Sequence, residues 1–286
     1  MKAALTSASL WLAALAALLP SPAVAAREPK QGSNRGKQSS VVSMLGGRCP
    51  TKNGVVALRE PKRHGKRALL IVDPQNAFMP GGALAVKHGD RIVPVANRLM
   101  GLFDLVVVSL DWHPANHGSF VTQHPGKQVF DVIDLHGIQQ VLWPKHAPRG
   151  RKGSDIHPGL DRKRITHLVL KGNDRRVDSY SAFYDNGRRS STGLAAYLRS
   201  KGIEELYVMG LATDYCVKFT VLDAVKEGFT THVIKAGCRG VNARRGDSGR
   251  AVKAMKKAGA KILGDAALEA LLGGAPQAAR GKRGQP

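Results

Sequence analysis

Cysteine is scarce in this sequence. The 286 residues include three cysteines, Cys49, Cys216 and Cys238, which are too few for a disulfide framework. Because the number is odd, at least one thiol is free. A pair between Cys49 and Cys238 requires the N-terminal region to fold back on the rest of the chain, and the sequence neither requires nor excludes it.

Acidic residues are also few. The chain has 21 Asp and Glu against 44 Lys and Arg, and its formal net charge is +23 at pH 7 with a pI near 10.4. Such a charge predicts attraction to polyanions such as nucleic acid, acidic polysaccharide or anionic lipid headgroups. Aromatic residues do not interleave with the basic runs at 149–152, 162–164 and 239–250. A solvated cationic surface is therefore favoured over a binder of single-stranded nucleic acid.

A long apolar run occurs once, at residues 10–19, where it follows Lys2 and precedes Pro20 and a group of small residues ending at Ala26. This layout predicts a secretory signal peptide over residues 1–26, and therefore export to a periplasm or out of the cell. The run is too short to span a bilayer comfortably, which disfavours a retained anchor.

Residues 27–66 contain Glu28 and Glu60 as their only acids and are rich in Gly, Ser, Lys and Arg, without a sustained apolar period. We predict a basic low-complexity arm there, able to contact polyanions, and a basic disordered tail of the same character at 273–286. The remaining stretch, 67–272, is long enough for one sizeable domain with its own core.

Apolar runs and amphipathic stretches alternate through this domain. The runs predict six strands, at 67–73, 103–110, 167–171, 206–210, 230–235 and 261–263. The amphipathic stretches between them predict helices at 90–102, 192–201, 214–227 and 248–258. Near-continuous apolar strands separated by helices indicate an open, mostly parallel sheet covered on both faces. We therefore expect a three-layer α/β fold of Rossmann-like type.

Reactive side chains follow four of the predicted strands. In an open parallel sheet the site lies outside the carboxyl ends of the strands, and the groups found there are Asp73, Asp111, His113, Lys171 and Cys216. Each has an ordinary explanation when taken alone, since a strand-end Asp commonly forms a turn and a single Lys is commonly a surface cation. Four strand ends that each carry a reactive group predict one shared site.

Cys216 lies in a segment, 206–220, that is typical of a strand, a tight turn and a helix. We expect Cys216 in the first helical turn, where Thr213 or Asp214 caps the free N–H groups and the helix dipole favours a thiolate. Such a cysteine would be nucleophilic. The alternative is a small buried apolar residue without chemistry, and the segment alone does not separate the two.

Asp111 and His113 are two residues apart on a turn after the second predicted strand. A carboxylate and an imidazole in this arrangement bind a divalent metal if a third ligand joins them. The candidates for that ligand are His117, His124, His136, His146 and His157. The loop at 118–165 is too long for mere connection, which predicts a lid that forms part of the site.

With these groups identified, the sequence resembles the nicotinamidase family of the isochorismatase-like cysteine hydrolases over about residues 67–265. The resemblance rests on separate segments whose spacing also fits, at 72–78, 111–114, 143–146, 178–183, 210–217 and 238–241. It implies that Cys216 is the nucleophile, that Asp73 is the general base and acid, and that Lys171 holds the thiolate and the carboxylate in place.

The resemblance further implies one divalent metal ion, with zinc as the first choice and iron or manganese as alternatives. Its protein ligands would be Asp111, His113 and His146, with water completing the shell. His117 is then either a fourth ligand or a neighbour of the ligands.

The pocket and its backbone also follow from the resemblance. It implies a cis peptide bond between Leu211 and Ala212, and an oxyanion hole formed by the N–H groups of Ala212 and Cys216. Phe78 and Trp143 match the aromatic walls of the family's pocket.

The implied reaction is hydrolysis of nicotinamide to nicotinate and ammonia, with pyrazinamide as a further substrate; homo-oligomer formation is left open. One alternative is another amidase of the superfamily, acting on a carbamoyl or hydroxamate-like substrate, although such relatives generally lack the Asp-x-His pair. The other is an exported cationic binding module that uses the domain as a scaffold. A scaffold has no reason to keep Asp73, Lys171 and Cys216 together.

Overall fold

The computed structural model describes residues 43–44, 54–58 and 66–273. The predicted signal peptide, most of the predicted arm and the predicted tail beyond Gly273 lie outside these residues. Among the helices of the described part, none is both long enough and apolar enough to cross a membrane.

Nine strands are described, and seven of them form the central sheet. In chain order they are β1 (Gly54–Ala57), β2 (Arg67–Val72), β3 (Leu105–Asp111), β4 (Val132–Asp134), β5 (Gln139–Val141), β6 (His167–Lys171), β7 (Glu205–Leu211), β8 (Thr230–Arg239) and β9 (Lys261–Leu263). The sheet order is β1-β6-β3-β2-β7-β8-β9, while β4 and β5 pair separately as an antiparallel hairpin.

The large sheet is parallel throughout except at its β1 edge, where β1 runs antiparallel to β6. Starting from β2, the chain adds β3 and β6 on one side and then returns to add β7, β8 and β9 on the other. Right-handed crossovers in the two directions place helices on opposite faces. The expected three-layer, mostly parallel α/β fold is confirmed, and the winding reverses between β2 and β7, where sheets of this kind bind ligands.

The central strands are buried on both faces, as their near-continuous apolar composition predicts. Every residue of β3 is buried, and so is all of β2 after Arg67. The six predicted strands correspond to β2, β3, β6, β7, β8 and β9, although β8 continues past its predicted end to Arg239.

Strand β1 was not predicted, because Gly54–Ala57 falls within the stretch assigned to the basic arm. Its residues pair with β6, Val55 opposite Val169 and Ala57 opposite His167. Two adjacent valines are too short an apolar stretch to show the alternation that distinguishes a strand from a loop. The strand depends on an available edge of the sheet, which the local sequence does not reveal.

Within residues 66–273 there are five α-helices: α1 (Ile92–Leu99), α2 (Leu194–Ser200), α3 (Lys218–Lys226), α4 (Asp247–Lys257) and α5 (Asp265–Gly273). Four were predicted, with ends differing by a few residues. The predicted helix at 90–102 is an α-helix flanked by single 3₁₀ turns, Gly89–Arg91 and Met100–Leu102. Helix α5 and the β4–β5 hairpin were not predicted.

Gly210, near the end of β7, lets this strand approach β2 closely at the edge where the reactive groups gather. Its φ is +130°, and a Cβ added there would lie 2.1 Å from the carbonyl oxygen of Val72. Only glycine fits such a contact. The residues that follow the two strands, Asp73 and the Cys216 turn, are brought together by this approach.

Candidate active site

The four predicted strand-end groups meet at the switch point. Asp73 follows β2, Asp111 ends β3, Lys171 ends β6, and the turn containing Cys216 follows β7. In the sheet, Asp111 pairs with Lys171. These residues are widely separated in the chain, and the parallel topology alone explains why they converge.

Lys171 lies at the centre of the group. Its Nζ atom is 2.8 Å from Oδ2 of Asp73, 2.5 Å from Oδ1 of Asp111 and 3.4 Å from Sγ of Cys216. It also donates a hydrogen bond to the Ser179 carbonyl at 3.0 Å. The ammonium is fully buried, so one cation connects the two carboxylates and the thiol.

The charges on this group follow from burial and from the partners. Burial lowers the pKa of Lys171, but Asp111 and Asp73 outweigh it and raise the pKa well above its ordinary value. Burial raises the pKa of Asp111, but Lys171 and His113 hold it well below its ordinary value. For Asp73, burial outweighs Lys171, so the pKa of that carboxyl is raised and it is the stronger base of the two.

Cys216 differs from its prediction in backbone and in ionisation. It lies in a π-helical turn, Thr213–Val217, which precedes α3, and no side chain caps this turn. Asp214 does not cap because it accepts hydrogen bonds from the loop after β8 instead, and Thr213 lies inside the turn, with Ala212 at the cap position. Burial raises the pKa of the Cys216 thiol well above its ordinary value, and Lys171 opposes this only in part. The resting group is therefore a thiol, not the thiolate that a helix N-terminus favours.

Asp111, His113 and His146 converge beside Lys171. The Nε2 atoms of His113 and His146 lie 3.5 and 3.4 Å from Oδ2 of Asp111. Both Nδ1 atoms are engaged by carbonyl oxygens, those of Gly172 at 2.7 Å and Pro144 at 2.8 Å. These bonds require hydrogen on Nδ1 and leave both Nε2 atoms facing the Asp111 carboxylate, the arrangement in which imidazoles bind a metal ion.

This cluster fits a divalent metal ion. The three groups are buried, and each has a ligand atom within 4.8 Å of the others. Nε2 of His113 is buried without a hydrogen-bond partner in the described structure, which is costly unless another group satisfies it. One carboxylate oxygen and two imidazole nitrogens suit zinc, iron or manganese.

His117 lies next to this cluster. Its ring centroid is 4.3 Å from that of His113, and its Nδ1 is 2.8 Å from Oγ of Ser119. Burial and the neighbouring His113 lower the pKa of His117 to about 4, so the ring is neutral. It forms a second possible ligand group with His113 and Asp178. The other candidates, His124, His136 and His157, belong to no such group among the described residues.

A pocket opens onto Cys216 and is walled mainly by apolar and aromatic side chains. Its lining comprises Phe78, Leu84, Asp111, Trp143, His146, Asp178, Tyr180, Ala212, Tyr215, Cys216 and Val241. The predicted walls, Phe78 and Trp143, are both there. Trp143 Nε1 donates to the Tyr180 hydroxyl at 3.1 Å and its ring meets Tyr215 edge-on. The predicted cis peptide between Leu211 and Ala212 is present in this wall.

The long loop at 118–165 contributes side chains to the site, as the sequence analysis predicts. Trp143 and His146 come from 118–165, immediately after the β4–β5 hairpin, and Phe120 pairs with Trp143 in an isolated bridge. The loop is thus anchored to the site by backbone pairing on both sides of the hairpin.

Gln75 was missed by the sequence analysis. Its buried amide accepts a hydrogen bond from the Asp111 N–H at 2.8 Å and donates to the Asp111 carbonyl at 2.8 Å and the Ser154 carbonyl at 2.9 Å. The Gln75 amide therefore binds both the N–H and the carbonyl group of Asp111. In the sequence, Gln75 is distinguished only as a polar residue two positions after Asp73. Its hydrogen-bond partners lie 36 and 79 residues away, so the local sequence does not show what it contacts.

Ser109 was also missed. Its Oγ donates to Oδ1 of Asp73 at 2.7 Å, so one oxygen of that carboxylate is held by Ser109 and the other lies beside Lys171. Ser109 interrupts the apolar run of β3 two residues before Asp111, and that interruption was the only available signal.

We expect Gly172→Ala to weaken metal binding. Gly172 has φ +64°, and a Cβ there would lie 2.4 Å from Cε1 of His113; the carbonyl of Gly172 also orients that ring. A displaced ring should cost about tenfold or more in metal affinity, which a titration of the metal-free protein measures. Gly202→Ala is the matched control, because φ is +69° and no atom lies near the added Cβ. Equal losses in both variants would contradict the expectation.

Comparison with known proteins agrees with this geometry. The family described as Isochorismatase domain matches residues 67–267. The chain is 52% identical over 200 residues to the nicotinamidase of Escherichia coli (strain K12), covering 68% of this chain and 93% of that protein.

Solved structures give the same assignment. The structure of an Acinetobacter baumanii nicotinamidase and pyrazinamidase has a TM-score of 0.67 and 45% identity, covering 69% of this chain and 95% of that one. The pyrazinamidase of Pyrococcus horikoshii in complex with zinc has a TM-score of 0.57 and 33% identity, covering 70% and 99%. The family match spans well over half of the sequence, and the chain therefore belongs to the isochorismatase family.

Proposed function

We propose that this protein is a metal-dependent cysteine amidohydrolase that converts nicotinamide to nicotinate and ammonia, and that it also accepts pyrazinamide. The observation that carries the proposal is the position of Lys171 within hydrogen-bonding reach of Asp73, Asp111 and Cys216. Two of these partners, Asp111 and Cys216, line an aromatic pocket. The nicotinamidase of Escherichia coli, at 52% identity, supports the choice of substrate.

The first step is proton transfer from the Cys216 thiol to Asp73. A carboxamide is a poor electrophile, so it needs a thiolate, and burial keeps Cys216 protonated until a base takes its proton. Asp73 is suited to this because its pKa is raised by burial. As the negative charge moves from Asp73 to sulfur, Lys171 remains within 3.4 Å of it and stabilises it.

The thiolate then attacks the amide carbon. We assign the N–H groups of Ala212 and Cys216 to the oxyanion that forms, as the family resemblance implies. Asp73 returns the proton to the leaving nitrogen, the C–N bond breaks, and ammonia departs to leave a thioester on Cys216. Asp73 next removes a proton from water, which attacks the thioester and releases nicotinate, and the thiol regains its proton.

Asp111, His113 and His146 would hold the metal, and zinc is our first choice, with iron and manganese as alternatives. A bound metal supplies an electrophilic anchor for the pyridine nitrogen and so orients the ring. Phe78 and Trp143 line the same pocket as Cys216. They exclude water and hold an aromatic ring by contact with its faces and edges.

Ammonia release from nicotinamide by the purified protein tests the proposal. We expect release that falls on chelation and returns when the metal is restored. Benzamide, which lacks the ring nitrogen, should be a much poorer substrate. A protein that has bound metal yet releases no ammonia from nicotinamide contradicts the proposal and favours the other amidase, acting on a carbamoyl or hydroxamate-like compound.

We also propose export and contact with polyanions, on the sequence of residues 1–26 and 27–66 alone. These proposals are independent of the reaction. An enzyme held on an anionic surface through residues 27–66 and an enzyme free in solution would have the same active site.

A further inference from the structure

The loop 240–242, which follows β8, forms part of the pocket wall. Val241 lines the pocket together with Ala212 and Cys216, although it is only half-buried and Asn242 is exposed. The loop is closely fitted, since a Cβ added at Gly240 would lie 1.9 Å from Oγ of Ser248. A short loop without strand pairing needs some other contact to keep Val241 in place.

Asp214 provides that contact. Its Oδ1 accepts a hydrogen bond from the Val241 N–H at 2.9 Å, and its Oδ2 accepts one from the Asn242 N–H at 2.7 Å. The side chain is 4% exposed. It belongs to the same π-helical turn as Cys216, two residues earlier. One carboxylate therefore joins the turn that carries the thiol to the loop that walls the pocket.

We propose that Asp214 is a positioning residue for the substrate, which holds the 240–242 loop against the Cys216 turn so that Val241 sets the width of the pocket. Asp214 itself is absent from the pocket lining, and each of its oxygens already accepts a backbone hydrogen bond, so it acts through the loop and does not touch the substrate. The role in substrate binding rests on the proposed function. Asparagine cannot replace the carboxylate, because its NH₂ group would face a second N–H donor.

The kinetic test compares Asp214→Asn with wild type on nicotinamide. We expect KM to rise by about tenfold while kcat changes by less than about threefold, because ring placement is lost and the Asp73, Lys171 and Cys216 geometry is kept. The control is Asp185→Asn. Asp185 is equally buried, at 4%, and accepts the Arg189 N–H at 2.9 Å, but it does not line the pocket. The control should keep the wild-type KM.

A second measurement needs no substrate. Alkylation of Cys216 by the small reagent iodoacetamide is compared with alkylation by the bulkier N-ethylmaleimide, and the modified peptide is identified by mass spectrometry. If the loop sets the width, Asp214→Asn should raise the ratio of the N-ethylmaleimide rate to the iodoacetamide rate by about tenfold, and Asp185→Asn should not. Val241→Ala, which removes the wall directly, should raise the ratio as well.

The two measurements separate the two proposals. If wild type does not hydrolyse nicotinamide, the proposed function fails, while the alkylation ratio still tests the loop. An unchanged ratio in Asp214→Asn overturns the inference about Asp214, whatever the substrate is, and an unchanged ratio in Val241→Ala shows that the loop does not set the width. If Asp214→Asn does not fold, Val241→Ala alone decides whether the loop sets the width.

Discussion

Cys216→Ala should reduce ammonia release from nicotinamide to the background rate while the protein remains folded. The substitution removes the atom that forms the thioester, and no other thiol lies in the described part of the pocket. Losing the nucleophile should lower kcat by a factor of about 1,000 or more. Because only one buried sulfur is deleted, the free energy of unfolding should fall by about 1 kcal/mol, which thermal unfolding followed by circular dichroism can measure.

Cys238→Ala is the matched control for this loss. Cys238 is as buried as Cys216, at 8% against 7% exposed, and burial likewise raises the pKa of its thiol, to about 12. Its Sγ lies 3.4 Å from the Ile234 carbonyl and not in the pocket. This variant should keep kcat within about twofold of wild type. Equal losses in the two variants would assign the effect to packing and remove the nucleophile from Cys216.

Asp73→Asn separates the base from the nucleophile. The amide keeps the shape of the side chain and the contact with Ser109, but it cannot accept the thiol proton. Lys171 would retain its partner Asp111. Loss of a general base costs typically about 100- to 10,000-fold, so kcat should fall by that range and alkylation of Cys216 should slow with it. Normal alkylation with lost turnover would instead restrict Asp73 to the later proton transfers.

The reactive side chains of the site were predictable because buried parallel strands are recognisable in the sequence as short apolar runs. Four of the six apolar runs are followed by a reactive residue, such as Asp73 or Lys171, and parallel topology brings such ends to one edge of the sheet. The prediction needed no knowledge of loops. The candidate metal ligands Asp111 and His113 were visible for the same reason, whereas His146 could not be chosen from five candidate histidines until the family resemblance was used.

The contacts that support the site were not predictable in the same way. Gln75 holds Asp111 across 36 residues, and Asp214 holds the 240–242 loop across 27 and 28. Which donors reach a buried carboxylate or amide depends on how loops pack, and the local sequence does not specify that. The π-helical form of the turn at Cys216 was not predictable either. Its apolar spacing resembles that of an α-helix, and its side chains are placed by the neighbouring strands.

His146→Ala should remove most of the bound metal and raise KM for nicotinamide. His146 contacts Asp111 but not Lys171, so the substitution removes one ligand and leaves the groups around the thiol unchanged. We expect metal affinity to fall by about 100-fold or more, and KM to rise with kcat less affected, because the metal orients the ring. Metal content by mass spectrometry and steady-state kinetics measure both, and excess metal should restore part of the loss.

Two further variants make the metal assignment decisive. Asp111→Ala removes the ligand that also pairs with Lys171, so it should lose metal as His146→Ala does and in addition lower kcat. His157→Ala, a histidine of the same loop outside the metal cluster, should change neither metal content nor KM. If His146→Ala kept its metal, the ligand set would have to be sought in the second group, formed by His113, His117 and Asp178. If it lost the metal with an unchanged KM, the ion would stabilise the fold of the loop and have no part in holding the substrate ring.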